Sequence, residues 1–186
     1  MTDQTDRVVF LDRDGVLNTT LPSYVNRWEN YVWYPWTFKA LRKLTENGAR
    51  IFIVTNQSGI GRGYFTAETL RDIHSRVKER VEKAGAHIEE IYYCPHAPED
   101  NCGCRKPQPG MLEQAASEHK ISLEKAWFIG DHYTDISAGQ QAGVSTILIR
   151  SSRDGSRATE SAQPDYIYDT LLQAVDNIIE QWRNPS

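Results

Sequence analysis

Two aspartates, Asp12 and Asp14, follow directly on the apolar run Val8–Leu11 and stand just before Gly15. In extended backbone, residues two apart point the same way, so Asp12 and Asp14 share a side while Arg13 faces away. Carboxylates this close repel and tend to be held apart by a cation or a shared proton. One of them can attack phosphorus while its neighbour handles the proton of the leaving group. Alone, the tetrapeptide also reads as a strand-terminating Asx turn, with Asp14-Gly15 as the turn chemistry.

Three further segments carry groups of matching chemistry. Thr55-Asn56-Gln57-Ser58-Gly59-Ile60-Gly61-Arg62-Gly63 puts a hydroxyl and a glycine-rich polar run where an apolar stretch ends. Such a loop presents several N–H and O–H donors to a phosphate, and Arg62 adds a bidentate group for an anion. The competing reading is a flexible connection. Arg105-Lys106-Pro107 sets two cations ahead of a helix that starts near Gly110. A lysine there holds a transferring phosphoryl group and offsets charge on a nucleophile, whereas a lone basic pair is more often simply solvated. In Gly130-Asp131-His132-Tyr133-Thr134-Asp135, Asp131 offers a hard oxygen ligand suited to magnesium, and Asp135 caps the following helix.

All three cysteines of the chain fall in one short segment, 94–104, as Cys94-Pro95-His96 and Cys102-Gly103-Cys104. Three thiols and an imidazole suit a closed, tetrahedral, structural zinc site, with Pro and Gly favouring tight turns. Unligated thiols packed in a loop are the alternative.

Apolar runs alternating with helical patterns must position these groups. Strands are expected at Val8–Leu11, Arg50–Thr55, Ile88–Tyr93, Ala126–Ile129, Ser145–Ile149 and Tyr166–Tyr168. Between them run helical spacings: Phe38, Leu41 and Leu44 ending at Gly48; Leu70, Ile73, Val77 and Val81 behind a Thr66 cap; then 111–120, 135–142 and a last helix burying Leu172, Val175, Ile179 and Trp182. This alternation implies an α/β fold, a three-layer parallel sheet with helices on both faces. Ligands of such sheets bind outside the carboxyl ends of the strands, where Asp12, Thr55 and Asp131 are expected to converge. Residues 151–164, polar and rich in Ser and Arg, are expected to form a surface loop.

At 186 residues the chain suits one domain over 1–186, and no repeat or low-complexity tract divides it. A net charge of −4 and a pI near 5.7 argue against a nucleic-acid partner. The polar start lacks a signal-peptide core, and no stretch nears the roughly 20 apolar residues of a membrane span, so a cytoplasmic monomer is expected. Packing is the favoured role of the aromatic stretch Tyr24, Trp28, Tyr31, Trp33, Tyr34 and Trp36, with a sugar platform the alternative. His74, His87 and His119 are expected at the surface.

Together the four segments resemble the phosphatases of the haloacid dehalogenase superfamily. The match runs in order as DxDGV, a strand-end threonine, a lysine before a helix and GDxxxD, from Val8 to about Ile149. The resemblance implies that Asp12 attacks phosphorus to form an aspartyl-phosphate and that Asp14 serves as acid and then base. It implies that Thr55 and Lys106 bind the phosphoryl oxygens, and that Asp12, Asp131 and the main-chain carbonyl of Asp14 hold magnesium. A CxH…CxC loop running into CRKP resembles a subgroup without a large cap domain. Two branches of it are known, heptose 1,7-bisphosphate 7-phosphatases of lipopolysaccharide-precursor synthesis and histidinol-phosphate phosphatases. TNQSGIGRGYFT and CRKPQPGML look more like the heptose branch. By that resemblance Arg13, Asn56, Gln57, Arg62, Arg105 and His132 are expected to contact a small phosphorylated metabolite, His132 standing where many heptose enzymes carry lysine. Histidinol phosphate, a nucleic-acid 3′-phosphate end, or a catalytically silent zinc-stabilised binding role are the other readings.

Overall fold

A computed structural model describes residues 7–150 and 162–184; the expected loop at 151–164 lies mostly outside the described residues. Six parallel strands form one sheet: β1 (Val8–Leu11), β2 (Arg50–Asn56), β3 (Glu90–Cys94), β4 (Trp127–Gly130), β5 (Ser145–Ile149) and β6 (Tyr166–Tyr168). Their spatial order is β3-β2-β1-β4-β5-β6. Leu11 stands level with Ile53 of β2 on one side and with Ile129 of β4 on the other.

The two-residue alternation of each strand divides its side chains between two cores. Val9, Leu11, Ile51, Ile53 and Ile129 point to the face covered by α1 (Thr37–Glu46), α2 (Ala67–Lys83) and α5 (Leu171–Arg183). Val8, Phe10, Phe52, Val54 and Phe128 point to the other face, against α3 (Gly110–His119) and Ala138 of α4 (Tyr133–Ala142). Strands buried on both faces read as continuous apolar runs, as VVFL does; β4, expected over Ala126–Ile129, lies one residue later at Trp127–Gly130.

Local signals set the helix ends. Thr66 Oγ1 accepts from the Thr69 amide at 3.1 Å, as its cap position predicts. β3 begins two residues later than expected and runs one further, to Cys94, because its ladder partners are Phe52 to Asn56. α4 begins at Tyr133 rather than Asp135, with His132 as its N-cap.

Among the described residues, the connection from β1 to α1 holds only a short 3-10 turn at Trp28–Asn30 and no inserted cap domain. Trp28, Tyr31, Trp33 and Trp36 pack against the first core, as the packing role anticipates. Tyr24 instead turns toward the strand ends.

Candidate active site

The strand order reverses between β1 and β4, and a crevice outside the carboxyl ends of strands opens at such a reversal. The Asp12 amide donates to the Ile129 carbonyl at 2.9 Å, which pins the ends of β1 and β4 side by side. Asp12 and Asp14 after β1, Thr55 in β2, Lys106 before α3 and Asp131 after β4 all line one cleft of about 980 Å³. Its rim carries Arg62, Arg105 and His132, and an aromatic wall of Tyr24 and Tyr64 whose rings lie 5.4 Å apart.

Lys106 is buried at the floor. Its Nζ donates to Asp12 Oδ1 at 2.8 Å, to Asp135 Oδ1 at 2.7 Å and to the Val54 carbonyl at 2.8 Å. An ammonium has three N–H bonds, so all are engaged and the cation is fixed in direction. Its main chain is gripped too. Asn56 Nδ2 donates to the Lys106 carbonyl at 3.0 Å and Asn56 Oδ1 accepts from the Lys106 amide at 3.1 Å. Burial disfavours the lysine's charge, but Asp12 and Asp135 outweigh it and hold Lys106 above the ordinary lysine range.

The two aspartates of the first motif are driven apart electrostatically. Burial, joined by the charges of Asp135 and Asp14, lifts Asp12 from 3.8 to about 6 against the pull of Lys106. Burial also pushes Asp14 upward, yet the Arg13 charge and hydrogen bonds from Asn18, Arg13 and Gln57 outweigh it and leave Asp14 below its ordinary value. Asn18 Nδ2 reaches Asp14 Oδ1 at 2.8 Å, and Gln57 Nε2 reaches Asp14 Oδ2 at 3.0 Å and Thr55 Oγ1 at 2.9 Å.

Asp135 is not the N-cap, which is His132, but the third residue of α4; its Oδ2 reaches back to accept from the amides of Asp131 and His132 at 3.1 and 3.0 Å, and so orders the loop. Its ion pair with Lys106, made by the other oxygen, was not foreseen from the sequence. Gly15 sits at φ +97°, and a Cβ there would lie 2.0 Å from Asp131 Oδ2, so only glycine lets the first loop press against the last.

Two expected positions, Arg13 and His74, differ from their sequence reading. Arg13 does not reach the cleft; it is fully buried, with its guanidinium on Asp14 and on His74, because strand alternation turns it away from the side Asp12 faces. Asn56 and Gln57 line the cleft, but their amides are spent on Lys106, Asp14 and Thr55 rather than left to face a ligand. His74 is buried instead of exposed.

Carboxylate oxygens of Asp12, Asp131 and Asp135 lie within 4.8 Å of one another. Three buried carboxylates against one ammonium leave an excess of negative charge on hard oxygens, a donor set that fits magnesium. In the 94–104 segment the donor atoms of Cys94, His96, Cys102 and Cys104 also fall within 4.8 Å of one another. Cys94 Sγ lies 3.5 Å from His96 Nδ1 and from Cys102 Sγ, and Cys104 Sγ lies 3.3 Å from Cys94 Sγ. Those separations are close to the roughly 3.5–3.8 Å edges of a tetrahedron built with Zn–S near 2.3 Å and Zn–N near 2.0–2.1 Å, so the four fit zinc. The segment is stitched to the glycine-rich loop, since the amides of Gln57 and Gly61 donate to the carbonyls of Cys94 and Pro95 at 2.8 and 2.9 Å. Arg105 Nη1 donates to the His96 carbonyl at 3.3 Å, and Arg62 pairs with Glu99 at 3.8 Å.

Strand order, carboxylate pair and fixed lysine together define a hydrolase of the haloacid dehalogenase superfamily, and a HAD-hydrolase-like family model matches residues 103–174. The D-glycero-beta-D-manno-heptose-1,7-bisphosphate 7-phosphatase of Pseudomonas putida is 37% identical over 175 residues, 93% of this chain and 99% of that protein. The Helicobacter pylori enzyme of the same name is 40% identical over 146 residues, 78% of this chain and 84% of its own. A crystal structure of D,D-heptose 1,7-bisphosphate phosphatase from B. bronchiseptica, complexed with magnesium and phosphate, superposes with a TM-score of 0.88 at 29% identity, covering 94% of this chain and 99% of that one. The chain belongs to the D-glycero-D-manno-heptose-1,7-bisphosphate 7-phosphatase family and is a phosphatase.

Proposed function

We propose that the chain removes the 7-phosphate of D-glycero-D-manno-heptose 1,7-bisphosphate, with Asp12 as nucleophile and Asp14 as acid and base. One observation carries this reading: a floor of buried Asp12 and Lys106 beside half-buried Asp14 lies beneath a rim bearing two arginines in a single cleft. Phosphate chemistry at the floor and a second anion site at the rim are what a sugar bisphosphate needs. A cleft of about 980 Å³ is also in the range that houses a small metabolite. The names of the relatives supply the particular sugar.

Asp12, Asp131 and the main-chain carbonyl of Asp14 would hold magnesium, which would supply positive charge that lets a carboxylate approach a phosphate dianion. The remaining work belongs to the side chains. An Asp12 oxygen attacks phosphorus, and the bond from phosphorus to the sugar oxygen breaks. Thr55 faces the phosphoryl oxygens, and Lys106, whose three N–H bonds are already engaged, contributes its fixed positive charge as negative charge builds there. Asp14 is held ionised in the free protein, so the arriving phosphate must raise its proton affinity for it to take a proton from solvent and pass that proton to the departing alkoxide. The Asp14 carboxylate then takes a proton from the water that attacks phosphorus, which frees phosphate and restores Asp12. Arg105 and Arg62 receive the remaining phosphate, and His132 borders the sugar.

Three cysteines outside any disulfide suit a reducing compartment, so the cytoplasm is the proposed location. A phosphate-release panel with magnesium tests the reading. It compares both anomers of heptose 1,7-bisphosphate with fructose 1,6-bisphosphate, histidinol phosphate and a 3′-phosphorylated oligonucleotide. A preference of about a hundredfold or more in kcat/KM for a heptose anomer, worth nearly 3 kcal/mol, is expected. A flat profile or a better rate on histidinol phosphate would remove the heptose assignment.

A further inference from the structure

Arg13 is a fully buried cation whose use the proposed chemistry leaves unexplained. Its Nη2 donates to both oxygens of Asp14, at 2.9 and 3.2 Å. Its Nη1 lies 3.0 Å from His74 Nε2, and its guanidinium lies over the Tyr31 ring at 5.9 Å. A guanidinium has only donors, so Nε2 of His74 must be the acceptor, and the ring is neutral with its proton on Nδ1. His74 is itself enclosed, with its ring edge against Tyr93 at 5.9 Å. It stands on α2, the helix that follows the glycine-rich loop.

We propose that His74 is a positioning residue for Asp14, acting through Arg13: a neutral imidazole seats the buried guanidinium, which grips both oxygens of the acid–base carboxylate. The inference rests on the reading of Asp14 as acid and base. A carboxylate that delivers a proton to one alkoxide and later takes one from a water must keep its direction through both steps. Asn18 and Gln57 each hold one oxygen, whereas Arg13 holds both. The Nε of this guanidinium is buried without a partner and both bonds to Asp14 leave from Nη2, so the His74 acceptor on Nη1 is what fixes the plane's direction, and its loss would leave a second buried donor unpaired. Removal of the Nε2 acceptor therefore loosens Asp14 without touching Asp12, Lys106 or the magnesium carboxylates.

Leaving groups separate this role from a merely structural one. An alkyl phosphate expels a poor leaving group that needs the Asp14 proton, whereas p-nitrophenolate departs without it. kcat/KM reports only steps up to departure of the alcohol, so it isolates that proton. His74→Leu is expected to lower kcat/KM on the sugar phosphate by about 10- to 100-fold, and on p-nitrophenyl phosphate by less than about threefold. Its kcat on the aryl ester should still fall, because hydrolysis of the aspartyl-phosphate needs Asp14 as base. His74→Gln, which restores an oxygen acceptor, should recover most of the loss. Equal losses on the two esters, no loss on either, or a glutamine variant no better than leucine would overturn the proposal.

Asp14→Asn run beside them keeps two failures distinct. If it leaves the alkyl-to-aryl ratio unchanged, the acid role of Asp14 is wrong. If it shifts the ratio while His74→Leu does not, only the His74 seat is wrong. Should the leucine variant fail to fold, nitrogen NMR of the wild-type histidines gives the answer alone. The proposal requires the neutral Nδ1–H tautomer at His74, and an Nε2–H tautomer or an imidazolium near neutral pH contradicts it.

Discussion

Asp12→Asn should make the magnesium-free protein more stable while abolishing turnover. Burial and the charges of Asp135 and Asp14 lift Asp12 from 3.8 to about 6. The native state therefore keeps this proton to higher pH than the unfolded chain does. Between those two values the native protein binds more protons, so its stability falls as pH rises, and the loss is complete above about pH 6. A lift of that size costs the folded protein roughly 3 kcal/mol at pH 8 and about half of that at pH 5. Asparagine carries no such penalty. It keeps an oxygen acceptor for Lys106, and that ammonium retains Asp135 at 2.7 Å, so no buried cation is orphaned. Urea unfolding in magnesium-free, zinc-sufficient buffer at pH 5 and pH 8 measures the difference. The variant should gain about 3 kcal/mol at pH 8 and clearly less at pH 5, while added magnesium stabilises wild type more than the variant. A variant no more stable than wild type at pH 8, or a gain that ignores pH, refutes the electrostatic account of the floor.

Gly15→Ala should weaken magnesium binding about tenfold or more by calorimetry, because a Cβ would meet Asp131 Oδ2 at 2.0 Å from a backbone at φ +97°. Cys104→Ser should lose zinc by elemental analysis and lower the unfolding midpoint, since the same segment anchors Gln57 and Gly61 through backbone bonds. Arg105→Ala should raise KM for the bisphosphate about tenfold or more with kcat changed less than about threefold, and should spare KM for a sugar monophosphate.

What the sequence revealed of this molecule was what short-range periodicity encodes. The runs VVFL and RIFIVT are apolar on both faces of a sheet, so their strands and parallel setting were legible, and with them the convergence of Asp12, Thr55 and Asp131. Asp12 and Asp14 share a side as the two-residue alternation requires. Contacts made across long sequence separations were not legible. Lys106 reaches Val54 across 52 positions, Asn56 fastens the Lys106 main chain across 50, and Arg13 finds His74 across 61. Nothing in local spacing marks these.

His74 did leave a signal. It lies four residues after Leu70 and three before Val77, on the same helical stripe as Ile73 and Val81, so a polar ring on a buried face should have been sought a partner. Arg13 was expected at the ligand because it stands inside the motif, yet the alternation that aligns the two aspartates is what drives it into the core. Asp135, expected as the cap, stands inside α4 behind His132, and its second oxygen pairs with a lysine that only the fold brings near.

The central claim is that Asp12 takes the phosphoryl group covalently. Rapid acid quench of a single turnover, followed by peptide mass spectrometry, tests it most directly. The account predicts a transient phosphoryl adduct on the peptide carrying Asp12, absent from Asp12→Asn and longer-lived in Asp14→Asn, which lacks the base. Full turnover with no adduct at any quench time, or an adduct on another residue, would contradict it.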